Sequence, residues 1–361
     1  MADSNRVRYF LGANAPSGFY SLYDHLIVPE TARAVYILKG GPGCGKSTLM
    51  RQTAALAEEA GQAVEYILCS GDPDSLDAVV FPGLSAAIVD GTAPHVVEPK
   101  YPGLVESYVN LGECYDKQAL GDLRGEIMGC MTGYKGCYQR AYRCLGAAAE
   151  IAQDVRAALL TEALEQRLLK RAKGILSREV KARRAAPPGR VRQRFLGAVT
   201  HRGTLCLYET VQAQCGRVYE LTDRYGLAHT MLSALLSGAA AAGYDAVACP
   251  DPMAPDRLAH VLIPELSLAF VSSAPALPFP GEPVRRIRLD AMADGELLRR
   301  SRPRLRFSQK VSAALAEEAV DSLAQAKAMH DELESLYNPY VDFDRVKETA
   351  QAIAGELLAP L

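Results

Sequence analysis

The chain has 361 residues, of which 49% are hydrophobic and 23% charged, with a net charge of −2. That is globular composition, and the length predicts two domains, since one usually takes roughly 100 to 200 residues. No stretch supplies the roughly 18 uninterrupted apolar residues that a membrane helix needs, and Met1 to Arg8 lacks an apolar signal core, so a cytoplasmic protein with no membrane partner is expected.

In chain order, a short N-terminal segment leads to Ala34–Leu38, an apolar, β-rich run that predicts a strand. Residues 40 to 47 then read Gly-Gly-Pro-Gly-Cys-Gly-Lys-Ser, which matches G-x-x-x-x-G-K-[ST]. Thr48 to Ala60 is compatible with a helix. In a strand, glycine loop and helix of this kind, backbone N–H groups converge on a β-phosphate and the helix N-terminus adds partial positive charge. Such a match arises by chance in a chain this long on the order of 1% of the time, which favours a phosphate cradle over a plain glycine turn. Gly40, Gly41, Pro42, Gly43, Cys44, Gly45, Lys46, Ser47 and Thr48 are therefore expected to hold a nucleoside triphosphate. No Asn-Lys-x-Asp guanine motif is present, which points to ATP.

Val64–Cys69 predicts a second strand, and Ala86–Asp90 a buried strand ending in an acid. An acid at that strand end lies beside the phosphate loop, so Asp90 is the Walker B candidate. Lys46 is expected on the β- and γ-phosphates, and Ser47 and Asp90 on Mg²⁺, making Lys46 and Asp90 the catalytic pair. Gly91 and Thr92 follow Asp90 where motor ATPases place a glutamate. Asp72, Asp74 and Asp77 read either as turn and helix-cap residues or as groups that orient an acceptor. His95, five residues past Asp90, reads either as a loop histidine or as a group on the γ-phosphate side.

A long helical tail is expected next. Cys130, Cys137 and Cys144 recur every seven residues and read as packing on one helix face. The nine cysteines, an odd number without a CxxC pair, suit reduced thiols. From Arg167 to Arg194 there are eleven Lys or Arg residues and one acid, Glu179, so the segment is locally about +10. It reads as a solvated helix face and linker, with contact to a nucleic acid as the alternative. Prolines and glycine in 185–189 end any helix there and divide the chain into domains 1–184 and 185–361.

The second half repeats the first. Phe10-Leu11-Gly12-Ala13 recurs as Phe195-Leu196-Gly197-Ala198, Tyr23 falls on Tyr208, and Leu84-Ser85 falls on Leu266-Ser267. Leu145, Ile151, Val155 and Leu159 match Leu323, Met329, Leu333 and Tyr337 in spacing, a helical stripe in each half. The chemistry is not repeated: Gly40 becomes Asp223, Gly45 becomes Ala228, Lys46 becomes His229, Ser47 becomes Thr230 and Asp90 becomes Ser272. A carboxylate in the cradle repels phosphate and the lysine charge is gone. The expected fold is thus α/β, two tandem P-loop NTPase-like parallel-sheet domains, each with a helical tail, the second degenerate and packed against the first.

Gly18–Asp24, Leu38–Met50, Asp74–Asp77, Ile88–His95 and Ala141–Leu145, with the repeated Phe-Leu-Gly-Ala, resemble the duplicated P-loop ATPase-like proteins of clostridial and related bacteria over nearly the whole chain. The resemblance implies ATP binding and a tandem fold. It also implies a lysine-bearing glycine loop in the second half, from which this chain departs at Asp223, Ala228 and His229. An ATPase or ATP-dependent switch is the leading expectation. A small-molecule or nucleotide kinase and a nucleic-acid-associated module are the alternatives, and Arg224 is a candidate intramolecular finger.

Overall fold

The structure, a computed structural model, describes residues 6–183 and 186–359. The division between residues 184 and 185 falls outside them. The first half runs β1 (Val7–Phe10), a hairpin of β2 (Gly12–Ala15) and β3 (Gly18–Ser21), β4 (Ala34–Lys39), α1 (Lys46–Glu59), β5 (Glu65–Leu68), β6 (Leu76–Phe81), β7 (Ala86–Asp90) and β8 (Glu106–Asn110). The helices α2 (Lys117–Asp122), α3 (Arg124–Leu159) and α4 (Glu162–Glu179) follow. The second half runs β9 (Val191–Gln193), a hairpin of β10 (Gly197–Thr200) and β11 (Gly203–Cys206), α5 (Tyr208–Gln214), β12 (Arg217–Thr222), α6 (Ala228–Ala241), β13 (Ala246–Asp251), β14 (Ala254–Ile263), β15 (Leu268–Ser273) and β16 (Arg285–Arg288). It ends in α7 (Gly295–Tyr337) and α8 (Phe343–Leu358). None of the described helices is long and apolar enough to cross a membrane.

Each half builds a mostly parallel six-stranded sheet, in the orders β1-β5-β6-β7-β4-β8 and β9-β13-β14-β15-β12-β16. Matched strand for strand, the two orders are the same, as the sequence repeat requires. The expectation of purely parallel sheets needs one correction, because β6 and β14 each run against both neighbours. The connections on either side of β6 are short, and short connections join antiparallel neighbours. Asp77, which the sequence offers as a turn or cap residue or as a group that orients an acceptor, lies on this unforeseen strand and is buried.

The repeated motifs meet. Phe10 and Phe195 exchange two backbone hydrogen bonds of 2.9 Å, and Asn14 Nδ2 donates to Val199 O at 2.9 Å. Phe10, Leu11, Phe195 and Leu196 are fully buried in one core that spans both halves. The tail helices cross over. Leu164, Leu168, Ala172 and Ile175 line one face of α4 at helical spacing and pack with Leu227, Met231 and Leu235 of the second half. Val346, Ala350, Ile353 and Leu357 of α8 likewise pack on Leu49, Met50 and Ala54 of α1. Each sheet is therefore covered by a helix from the other half of the sequence. Between them α3 and α7 run antiparallel, tied by Arg140–Glu318 and Arg304–Asp154 at 2.5 Å each, with Ala141, Leu145, Ala319 and Leu323 buried and Cys144 against them.

Four of the eleven basic residues of this run form ion pairs within the molecule. Arg183 pairs with Glu265 at 2.5 Å and Arg190 with Asp245 at 3.6 Å. Arg192 and Arg194 both reach Glu65 of the first half, at 3.2 and 2.5 Å. Arg194 is 1% exposed, and its remaining donors go to the carbonyls of His25, Leu26 and Gln193.

Candidate functional site

The loop from Gly40 to Gly45 leaves the carboxyl end of β4 and turns into α1. Gly43 (φ 68°) and Gly45 (φ 83°) take backbone conformations that disfavour a side chain. The N-cap of α1 is Gly45, which has no side chain to offer the helix's first amides. Lys46 Nζ donates to Gly40 O and Gly41 O at 2.9 Å each and lies 3.6 Å from Asp90 Oδ2. Asp90 stands opposite Leu38 at the end of β7, and its Oδ1 accepts from Thr92 N at 2.8 Å and Thr92 Oγ1 at 2.6 Å. Ser47 Oγ accepts from Leu76 N at 3.0 Å. Cys44 is turned inward, 1% exposed, where burial pushes its thiol up, so it offers only its backbone. Thr48 is exposed on the first turn of α1. Lys46 and Asp90, distant in sequence, thus meet at the carboxyl ends of the central strands β4 and β7, with Ser47 beside Lys46 at the start of α1.

The second half supplies the loop's other wall. A β-carbon on Gly43 would lie 2.6 Å from Asn338 Oδ1 and 3.2 Å from Glu334 O, and one on Gly45 would lie 3.2 Å from Val346 Cγ1. Tyr115 donates to Pro42 O at 2.8 Å. Beside it, Glu113, Tyr115, Asp116, Tyr340, Asp342 and Arg345 line an open cavity of about 320 Å³ between the end of β8 and the α7–α8 joint. Neither Tyr115 nor this joint was legible beforehand, because they come from segments far from the motif in sequence.

The aspartates separate. Asp72 accepts from Asp74 N and Ser75 Oγ at 3.2 and 3.0 Å, closing a turn, and faces Lys327 of α7 at 3.5 Å. Asp74 pairs with Arg202 of the second hairpin. Asp77 instead joins His95, whose Nε2 is 3.3 Å from Asp77 Oδ1, while Tyr23 donates its hydroxyl to Asp77 Oδ2 at 3.0 Å. Burial opposes a charge on His95, but the Asp77 carboxylate, with Asp90 beyond it, raises its pKa above the ordinary 6.5. Tyr23 was visible beforehand only as a repeated residue. Arg224, the proposed finger, donates its backbone N–H to Asp290 of its own half; Arg202 and Lys327 are second-half cations that do reach the first-half loops.

In the second copy, Asp223 fills the cradle from within. Its carboxylate accepts from the amides of Tyr225, Leu227 and Ala228 at 3.2, 2.8 and 2.7 Å, at the N-terminus of α6. Burial pushes this carboxyl up, and the backbone donors work against that rise. His229, in the place of Lys46, accepts from Leu258 N at 2.9 Å. Asp223→Ala is expected to lower stability by about 2–4 kcal/mol, since amides that donated to a charged acceptor lose it. Urea unfolding would show this as a lower midpoint at unchanged slope, and an unshifted midpoint would mean that the carboxylate is dispensable.

No protein-family model, curated protein or solved structure matches the chain, so the chemistry of this site rests on its own residues.

Proposed function

We propose that the chain binds Mg²⁺–ATP at the Gly40–Ser47 loop and acts as an ATPase or ATP-dependent switch. One observation carries this reading. The second copy of the loop holds the Asp223 carboxylate against its amides, whereas the first has Gly40 at that place and keeps a lysine and an acid beside the loop. A cradle that in one copy takes an internal anion suits an external anion in the other.

The residues present fit the nucleotide and its ion. The loop amides and Lys46 would hold the phosphates, and Ser47 and Asp90 would hold Mg²⁺, which supplies neutralising charge to the phosphate oxygens. Lys46 would exchange its bonds to Gly40 O and Gly41 O for phosphate oxygens. The cavity beside Tyr115 offers room for the base. The contacts of Gly43 and Gly45 with α7 and α8 support the switch, because a ligand that moves the loop biases the packing of the second half. Arg194, buried against Glu65, is withdrawn from any nucleic-acid surface built on that segment.

Purified protein incubated with Mg²⁺ and γ-labelled ATP is expected to release free phosphate. Label recovered on an added small molecule or nucleotide would replace the ATPase with a kinase. Absence of nucleotide binding in the same preparation would remove the reading.

A further inference from the structure

We propose that His95, held by Asp77, is the group that donates to the terminal phosphate of the bound nucleoside triphosphate. The assignment rests on the phosphate-loop reading of residues 40–47 and deepens it. The side chain of His95 is 7% exposed. Its ring packs edge-on to Phe19 and against Tyr23, with centroids at 5.2 and 5.0 Å. Nε2 is committed to Asp77 at 3.3 Å, and the other Asp77 oxygen to Tyr23. Nδ1 is buried and has no hydrogen-bond partner among the described residues. An imidazole packed against two aromatic rings and held at one nitrogen has little freedom to turn, so its second nitrogen has a set direction.

What surrounds it indicates the ligand. Asp77 and Asp90 stand one step beyond the Ala78–Val89 pair on the β6–β7 ladder, and Ser47 is joined to Leu76, the residue before Asp77. The charged and titratable groups around the imidazole are Asp77, Asp90, Lys46 and Tyr23, so it belongs to the same end of the sheet as the loop. A protonated histidine is a donor at both nitrogens. With Nε2 engaged, Nδ1–H lacks an acceptor, and in a site shaped for phosphates the anion that reaches past Lys46 toward Asp90 is the terminal phosphate.

The second copy acts as an internal control. There the turn is kept, Leu277 N donating to Ala274 O at 2.9 Å as His95 N donates to Thr92 O at 2.9 Å. At the same offset, Leu277 stands for His95 and Ala259 for Asp77. The dyad is lost together with Lys46 and Asp90 in the copy whose cradle holds Asp223. If the dyad served only packing, nothing would tie its loss to the loss of the phosphate groups.

Calorimetric titration of the full chain with Mg²⁺–ATP and Mg²⁺–ADP tests this. His95→Ala and His95→Gln are expected to weaken ATP binding by about 10- to 100-fold while leaving ADP affinity within about twofold, as loss of one charge-assisted contact predicts. Asp77, a positioning residue, reveals itself through pH. Preference for ATP over ADP should fade as pH rises through the raised pKa of His95, and Asp77→Asn should move that fading to lower pH. Equal loss of ATP and ADP binding in folded variants would make the dyad structural and overturn the proposal, as would an unchanged preference. Turnover that rises with pH, with ATP preference constant, would make His95 a base instead and would also overturn it. Wild-type protein that binds neither nucleotide would sink the phosphate-loop reading itself, and this assignment with it.

Discussion

Lys46→Ala is expected to weaken Mg²⁺–ATP binding by at least about 100-fold, because Lys46 would supply charge-assisted contacts to two phosphates and each such bond is worth roughly 1.5–3 kcal/mol. His229→Ala, the same change in the other copy, should leave binding within about twofold. The asymmetry follows from what each residue touches. Lys46 lies between two loop carbonyls and Asp90, whereas His229 accepts a backbone N–H beside a loop already filled by Asp223. Thermal unfolding offers an independent readout. Saturating Mg²⁺–ATP should raise the wild-type and His229→Ala midpoints and leave that of Lys46→Ala unmoved, since a ligand stabilises only the fold that binds it. Equal loss in both variants would mean that the second loop is a working site.

Arg194→Ala is expected to cost about 3–5 kcal/mol of stability, the usual effect of removing one partner from a buried ion pair. Arg194 is 1% exposed and Glu65 3% exposed, and both would have to be hydrated in any rearrangement. Burial pushes the Glu65 carboxyl up, but the guanidinium groups of Arg194 and Arg192 outweigh it and hold it below its ordinary 4.5. The sign for pH follows. A lowered folded-state pKa gives stability that is complete above about pH 4.5 and lost as pH falls through the folded value. In Arg194→Ala the acid loss should begin at higher pH, because Glu65 keeps its burial and loses its main counter-ion. The double variant Arg194→Met with Glu65→Leu should recover much of the loss, since it removes the charge that would otherwise be stranded. Denaturation curves at several pH values check each of these, and a single-variant loss under about 1 kcal/mol would show that water reaches the pair.

The glycine loop was legible because its eight residues are contiguous and their order has local reasons: Gly43 and Gly45 take positive φ, and Lys46 and Ser47 stand at a helix start. The duplication was legible too, since Phe10–Ala13 and Phe195–Ala198 carry the same four letters, and the two sheets have the same strand order. The reversed strand β6 was not. Its run Leu76–Phe81 is apolar enough for a strand, but direction depends on the connections and not on the residues themselves. By sequence alone Asp77 groups with Asp72 and Asp74, which lie close by but precede the strand, Asp72 closing the turn before it.

Composition and local pattern, then, specify the elements, the loop, the repeat and the loss of the loop's chemistry in the second copy, because these depend on neighbours along the chain. Packing alone decides that α4 covers the second sheet and α8 the first, that Arg194 reaches Glu65, and that His95 meets Asp77 with one nitrogen left over. Those contacts join residues from 18 to 297 positions apart, and separations of that order leave no periodic trace in a single sequence.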